Sequence, residues 1–262
     1  MNVFVNLPLR YIHADNKYLD YFIEHRLQPE LGLDVIATEN LDSDWHRSVA
    51  DALHNAGIAC AMHLPFFDLQ PGSIDGGILQ ATRQRLASAC SIAQIYDPQH
   101  MIGHAGFTDV YHEFYEEWLA RCRETWEQFR RDWPEHPPVY LENVYEETCR
   151  PLTDLLDRLD DAAFGACFDA GHWHSFSQGA RLNNLREWIG GISRHLRHLH
   201  LHDNDGSFDQ HRGLGQGTIP WEELFAALRE FGMRPSITLE PHSQESLEQS
   251  LDFIARHKAW FE

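Results

Sequence analysis

Residues 195–217 read HLRHLHLHDNDGSFDQHRGLGQG. The first eight alternate in the manner of a β-strand, which places His198, His200 and His202 on one side, the later two toward the strand's end. The remainder gathers Asp203, Asp209, His211 and glycines 206, 213, 215 and 217 into one loop. Such a loop is either a solvated turn or one wall of a metal site. The glycines form no P-loop, since no GK[ST] follows them.

Outward from this segment, short β-rich stretches alternate with longer helical ones. Strands are expected at 3–5, 31–37, 58–63, 100–104, 139–143, 166–170, 195–202 and 236–240. Helices are expected near 15–27, 43–55, 79–94, 109–132, 151–161, 181–192, 220–230 and 243–257. Ser43, Asp109 and Pro220 mark helix starts, while Gly57, Gly165 and Gly232 mark helix ends. Strands separated by helices run parallel, and eight such units predict an α/β fold, a closed (β/α)₈ TIM barrel, spanning residues 1–262 as one domain. An open doubly wound sheet is the alternative, but no GxGxxG follows the first strand. The longest non-helical insertion is LPFFDLQPGSIDGG, 64–77.

The bulk properties narrow the partners. With 43% hydrophobic and 23% charged residues, the chain can bury a substantial core. Its net charge of -19 repels polyanions, so extended nucleic acid is a disfavoured partner, although a locally neutralised phosphate pocket remains compatible. Cys60, Cys90, Cys122, Cys149 and Cys167 include no CxxC pair, which predicts reduced thiols and a cytoplasmic protein. No apolar run approaches bilayer length, so no membrane partner is expected.

The decisive pattern lies at the strand ends. His63, His104, Glu142, Asp169, His200 and Glu240 close, or nearly close, strands three to eight. Any one of them alone is ordinarily a capping or solvated residue. At successive strand ends of a barrel, all six converge on one rim. There their burial without a cation would need positive partners that this acidic chain scarcely supplies. FDAGHWH adds His172 three residues after Asp169, and Asp209-Gln210-His211 can present two ligands from one loop. Imidazole and carboxylate suit Zn²⁺ first, with Mn²⁺ or Fe²⁺ also admissible. His174, His202 and Asp203 are expected around the ligands or on the substrate, and Phe66 and Phe67 form an apolar wall that packs as core or lid or contacts substrate.

The chain resembles the xylose-isomerase-like TIM-barrel superfamily, and within it the endonuclease-IV-like branch. The resemblance rests on AMHLP, IGHAG, LEN, FDAGH, HLHDN followed by DQHRGLGQG, and TLEP, between residues 61 and 241. It implies up to three divalent metal ions. His63 and His104 would hold one, with Glu142 bridging to a second completed by Asp169, His200 and Glu240. His172, Asp209 and His211 would hold the third. Glu142 and Glu240 would be the catalytic pair.

The resemblance further implies a phosphodiesterase working through metal-activated water on a small or specialised phosphate ester. The nucleotide-loop phosphodiester of a cobamide, a corrinoid, is one specific candidate. Three alternatives stand beside it: a sugar or sugar-phosphate isomerase or epimerase using one metal at Glu142, Asp169, His200 and Glu240; a catalytically inactive ligand-binding barrel; and an apurinic-site endonuclease. DNA-repair members carry Asn where this chain has His202, which, together with the net charge of -19, speaks against long DNA.

Overall fold

The computed structural model describes residues 1–262. Eight strands close a parallel barrel in sequence order: β1 Val3–Pro8, β2 Gln28–Gly32, β3 Ala61–His63, β4 Met101–His104, β5 Val139–Glu142, β6 Phe164–Asp169, β7 Leu196–Leu201 and β8 Ser236–Leu239. Val3 pairs with Ile237 to seal the β1–β8 seam. Helices surround the barrel, so a (β/α)₈ TIM barrel is the architecture and the open-sheet alternative is excluded. No helix is long and apolar enough to cross a membrane.

The outer helices form where apolar residues recur at helical spacing. In the helix Arg150–Leu159, Leu152, Leu155 and Leu156 face the core behind a first-turn Pro151. Side-chain caps fix several starts: Asp75 Oδ1 accepts from the backbone N–H of Gly77 and Ile78, which sets where the insertion after β3 gives way to the helix Gly76–Tyr96.

Several local expectations are corrected. The second strand occupies 28–32, not 31–37: Asp34 caps a short helix, Val35–Glu39, accepting from Ala37 N–H at 2.9 Å. One apolar run, LGLDVIA, crosses a strand end, a turn and a helix start, and a short run carries no period to separate them. Asp42, not Ser43, caps the helix Ser43–Asn55, because its carboxylate reaches Trp45 N–H at 2.8 Å. Thr108 precedes a 3-10 turn, Asp109–Phe114, and the long helix starts only at Tyr115. Gly165 lies inside β6, and the preceding helix stops instead at Asp160, which takes the left-handed conformation with φ 43°. Gly57 and Gly232 do take that conformation immediately beyond their helices.

Candidate metal centre

The carboxyl ends of the strands bring the predicted side chains together. His63 ends β3, His104 ends β4, Glu142 ends β5 and Asp169 ends β6, while His200 is the penultimate residue of β7 and Glu240 follows β8. Glu142 is the hub. Its Oε2 lies 3.2 Å from His63 Nε2, 3.1 Å from His104 Nε2 and 3.4 Å from His200 Nδ1. Its Oε1 lies 3.0 Å from His172 Nδ1. His200 Nδ1 is also 3.4 Å from Glu240 Oε1 and 3.9 Å from Asp169 Oδ2.

The loop after β7 completes the opposite wall. His211 Nε2 approaches Asp209 Oδ2 at 2.9 Å, and His172 Nε2 reaches the same oxygen at 3.6 Å. His211 Nδ1 sits 2.8 Å from the Glu240 carbonyl oxygen, so the loop is tied to the end of β8. His211 takes φ 47°, a left-handed conformation uncommon outside glycine, which turns its ring back toward the centre. The nine side chains expected as ligands thus form one continuous cluster.

The local backbone explains how they fit. Asp169 caps the short helix Ala170–Ser175, accepting from His172 N–H at 2.6 Å through Oδ1. That turn swings His172 under Glu142. A Cβ on Gly171 would lie 1.9 Å from His202 Cε1, so only glycine lets the turn pass over the His202 ring. Asp203 faces its own loop. Its Oδ2 accepts from Gly215 N–H at 2.8 Å and Trp221 Nε1–H at 2.9 Å, and its other oxygen accepts from Asn204 N–H. His174 Nε2 is 2.9 Å from Thr218 Oγ1. Asp203 and His174 therefore brace the loop.

His202 sits closer to the ligands than its expected supporting place. Its Nε2 is 3.3 Å from Asp169 Oδ1 and 3.4 Å from Asp209 Oδ1. Its ring stacks on His211 with centroids 3.8 Å apart, and His242 stacks on the other face of His211, also at 3.8 Å. His242 was not anticipated, although it stands two residues after Glu240. Phe66 and Phe67 are not core: they are 38% and 70% exposed. Phe66 stacks on His104 at 4.6 Å and Phe67 stacks on Phe66 at 4.6 Å, a ladder leading outward from a candidate ligand.

The electrostatics of the cluster are those of buried, opposed charges. Burial opposes charge on Glu142, yet the facing His200 and His104 outweigh it and hold its carboxyl well below the usual range. Burial likewise opposes charge on His172, but Asp169, Asp209 and Glu142 hold its imidazole well above the ordinary value. His211, despite burial, is pushed up to about 9 by Asp209 and Glu240. Glu240 behaves differently: burial raises its carboxyl, only partly countered by His200 and His211.

Several buried atoms have no hydrogen-bond partner: Asp169 Oδ2, Asp209 Oδ1 and both ring nitrogens of His200 and His202. Each unsatisfied group of this kind costs on the order of 1–3 kcal/mol. Carboxylate oxygens and imidazole nitrogens aimed at shared space fit divalent cations, and three-residue donor sets occur at His63/Glu142/His200, Asp169/His172/His202 and His202/His211/Glu240.

Comparison with known proteins agrees with the barrel. A family model described as xylose isomerase-like TIM barrel matches residues 26–257, and the chain belongs to that family. An uncharacterized protein of Methanocaldococcus jannaschii, MJ1311, is 24% identical over 212 residues, covering 75% of this chain and 71% of its own. A D-tagatose 3-epimerase-like protein superposes with TM-score 0.82 at 19% identity, covering 100% of this chain and 98% of its own. The TTHB071 protein from Thermus thermophilus, soaked with ZnCl₂, superposes with TM-score 0.78 at 24% identity, covering 98% of this chain and 97% of its own.

Proposed function

We propose that this chain is a metal-dependent hydrolase of phosphate esters, working on a small or specialised diester at the carboxyl-end mouth of the barrel. The observation that carries this reading is the surplus of ligands. Glu142, Asp169, His200 and Glu240 are enough for one cation, yet His63 and His104 converge on Glu142, and His172, Asp209 and His211 form a further wall. Five extra ligands are more than one ion can use.

His63, His104 and Glu142 would hold one divalent ion, Asp169, His200 and Glu240 a second shared through Glu142, and His172, Asp209 and His211 a third. When bound, such ions supply Lewis-acid charge to phosphoryl oxygens and lower the pKa of water. Zn²⁺ suits the donor set, with Mn²⁺ or Fe²⁺ also matching.

The protein's own residues do the rest. Glu142, held ionised by the surrounding imidazoles, fixes the spacing of the site. Glu240, whose Oε1 lies 3.4 Å from His200 Nδ1, would bind a cation or, when not ligating, take and return a proton at that oxygen. Phe67 offers an exposed face on which a planar part of the substrate can stack. A nucleotide-loop diester of a corrinoid has such a planar base and stays the most specific candidate. An overall charge of -19 weighs against long DNA, including abasic duplex.

A second reading, a sugar epimerase or isomerase with one ion, has its own support. The names of the similar solved structures favour it, the D-tagatose 3-epimerase-like protein among them. So does the placement of Glu142 and Glu240, whose oxygens each lie 3.4 Å from His200 Nδ1, since two carboxylates flanking one ligand can serve opposite faces of a sugar carbon.

A metal count on protein purified without strong chelator, followed by a panel of phosphodiesters and sugars in deuterated water, separates the two. Two or more ions per chain and diester cleavage support hydrolysis. One ion and exchange of a sugar C–H overturn it.

A further inference from the structure

Beneath the rim the barrel holds a second buried polar layer: Glu30 on β2, His198 on β7 and Thr238 on β8 are fully buried, and His100, just before β4, is 4% exposed. The layer is ordered by hydroxyls. Thr238 Oγ1–H donates to Glu30 Oε2 at 2.6 Å, His198 Nε2 lies 2.8 Å from the same Thr238 oxygen, and His198 Nδ1 lies 2.6 Å from Ser236 Oγ. Because the Thr238 hydrogen is committed to Glu30, its oxygen accepts from His198, which fixes the His198 proton on Nε2. Glu30 Oε2 is therefore held in place.

The other carboxylate oxygen, Oε1, stands 3.1 Å from His200 Nε2, a close approach short of hydrogen-bond geometry in which neither atom has any other partner. On the far side of that ring, Nδ1 faces Glu142, Glu240 and Asp169 at 3.4–3.9 Å. An imidazole with carboxylates on both sides has no intrinsic preference for which nitrogen carries the proton and which presents a lone pair. Glu30 removes the ambiguity by setting one carboxylate oxygen against Nε2 from the layer below; ligation by Glu30 itself, together with His200 and Glu240, is the competing arrangement.

We propose that Glu30 is the positioning residue of the metal centre. Its Oε1 keeps a proton on His200 Nε2 and leaves Nδ1 as the cation ligand, while the Ser236–His198–Thr238 chain keeps Glu30 from turning away. A ligating histidine whose second N–H is given to a carboxylate is both oriented and more basic, and loss of such a partner costs about 10–100-fold in metal affinity. The inference rests on the cation-binding part of the proposed function and not on the reaction, and its readout needs no turnover.

The test is Zn²⁺ affinity of the full chain, measured by competition with a chromophoric chelator, for wild type, E30Q, T238V and T238S. Long-range ¹H–¹⁵N spectra of the histidine rings run alongside. The expected result is a loss of about 10–100-fold for E30Q. A smaller loss is expected for T238V, which leaves the carboxylate but unties it, and near wild-type affinity for T238S, which restores the hydroxyl. In Zn²⁺-loaded wild type the spectra should place the single His200 proton on Nε2. Folded E30Q with wild-type affinity, or a His200 proton on Nδ1 in the Zn²⁺-loaded protein, overturns the proposal. Should E30Q fail to fold, the T238V and T238S pair carries the test: equal affinities for the two would overturn it.

Discussion

His198 and His200 stand two residues apart on β7, point to the same side and are both fully buried, yet their surroundings drive them in opposite directions. His198 meets hydroxyls, Ser236 on one nitrogen and Thr238 on the other. Burial lowers its pKa, incompletely offset by Glu30, and it stays neutral. His200 meets carboxylates on both sides, and despite burial these, with Cys167, hold it well above the ordinary value. The lower layer is tied together by hydroxyl hydrogen bonds, with Glu30 Oε1 and His100 Nε2 the buried atoms it leaves unpaired. The upper one is an array of opposed charges with unpaired atoms, an arrangement that a divalent cation would satisfy.

The largest test of that contrast is Glu142→Gln. It removes the charge that His63, His104, His172 and His200 share, and should lower turnover by about 10³-fold. It should also reduce bound metal, read by elemental analysis. Retention of full metal content and activity would place the functional centre elsewhere. Next is the outer wall. His172→Ala or Asp209→Ala should cost one ion per chain and about 10²-fold in diester cleavage. Under the one-ion epimerase reading, the metal count would not change.

The buried turn supplies a structural check. Gly171→Ala puts a Cβ into the His202 ring. It should destabilise the protein by about 1–3 kcal/mol, seen as a lowered urea midpoint.

The pH dependence tests the upper layer's charge directly. The imidazole of His211, raised to about 9, stabilises the cation-free fold fully below its unfolded value near 6.5, and that stabilisation is lost as pH rises toward 9. His172 and His200, also raised, act in the same direction. Urea unfolding of chelated protein should therefore show stability falling between about pH 6.5 and 8, by on the order of 1–2 kcal/mol. Metal-loaded protein should show the opposite trend, because cations compete with those protons. A flat profile in chelated protein would mean the imidazoles are not charged. Smallest is Phe67→Ala. At 70% exposure, stability should change by less than about 0.5 kcal/mol, while KM for a substrate with a planar group rises by about 2–10-fold. An unchanged KM would remove Phe67 from the binding surface.

The sequence alone determined the barrel and the rim. Strand and helix periodicities are local, and histidines and carboxylates at strand ends need only parallel strands to bring them together, so His63, His104, Glu142, Asp169, His200 and Glu240 were legible without coordinates. The loop motif DQH and the turn FDAGH supplied the remaining candidate ligands. Tertiary structure decided what the side chains face. Glu30 was hidden because the second strand starts at Gln28, with a proline inside it, and the apolar run after it drew the expected strand several residues too late. Asp203 and His174, expected around the ligands or on the substrate, are bound by loop backbone and Thr218, whereas His202 and His242 enter the centre by ring stacking across three segments. The physical reason is range. Backbone periodicity follows from neighbours along the chain, but the charge and partners of a buried imidazole depend on groups that only the closed barrel places beside it.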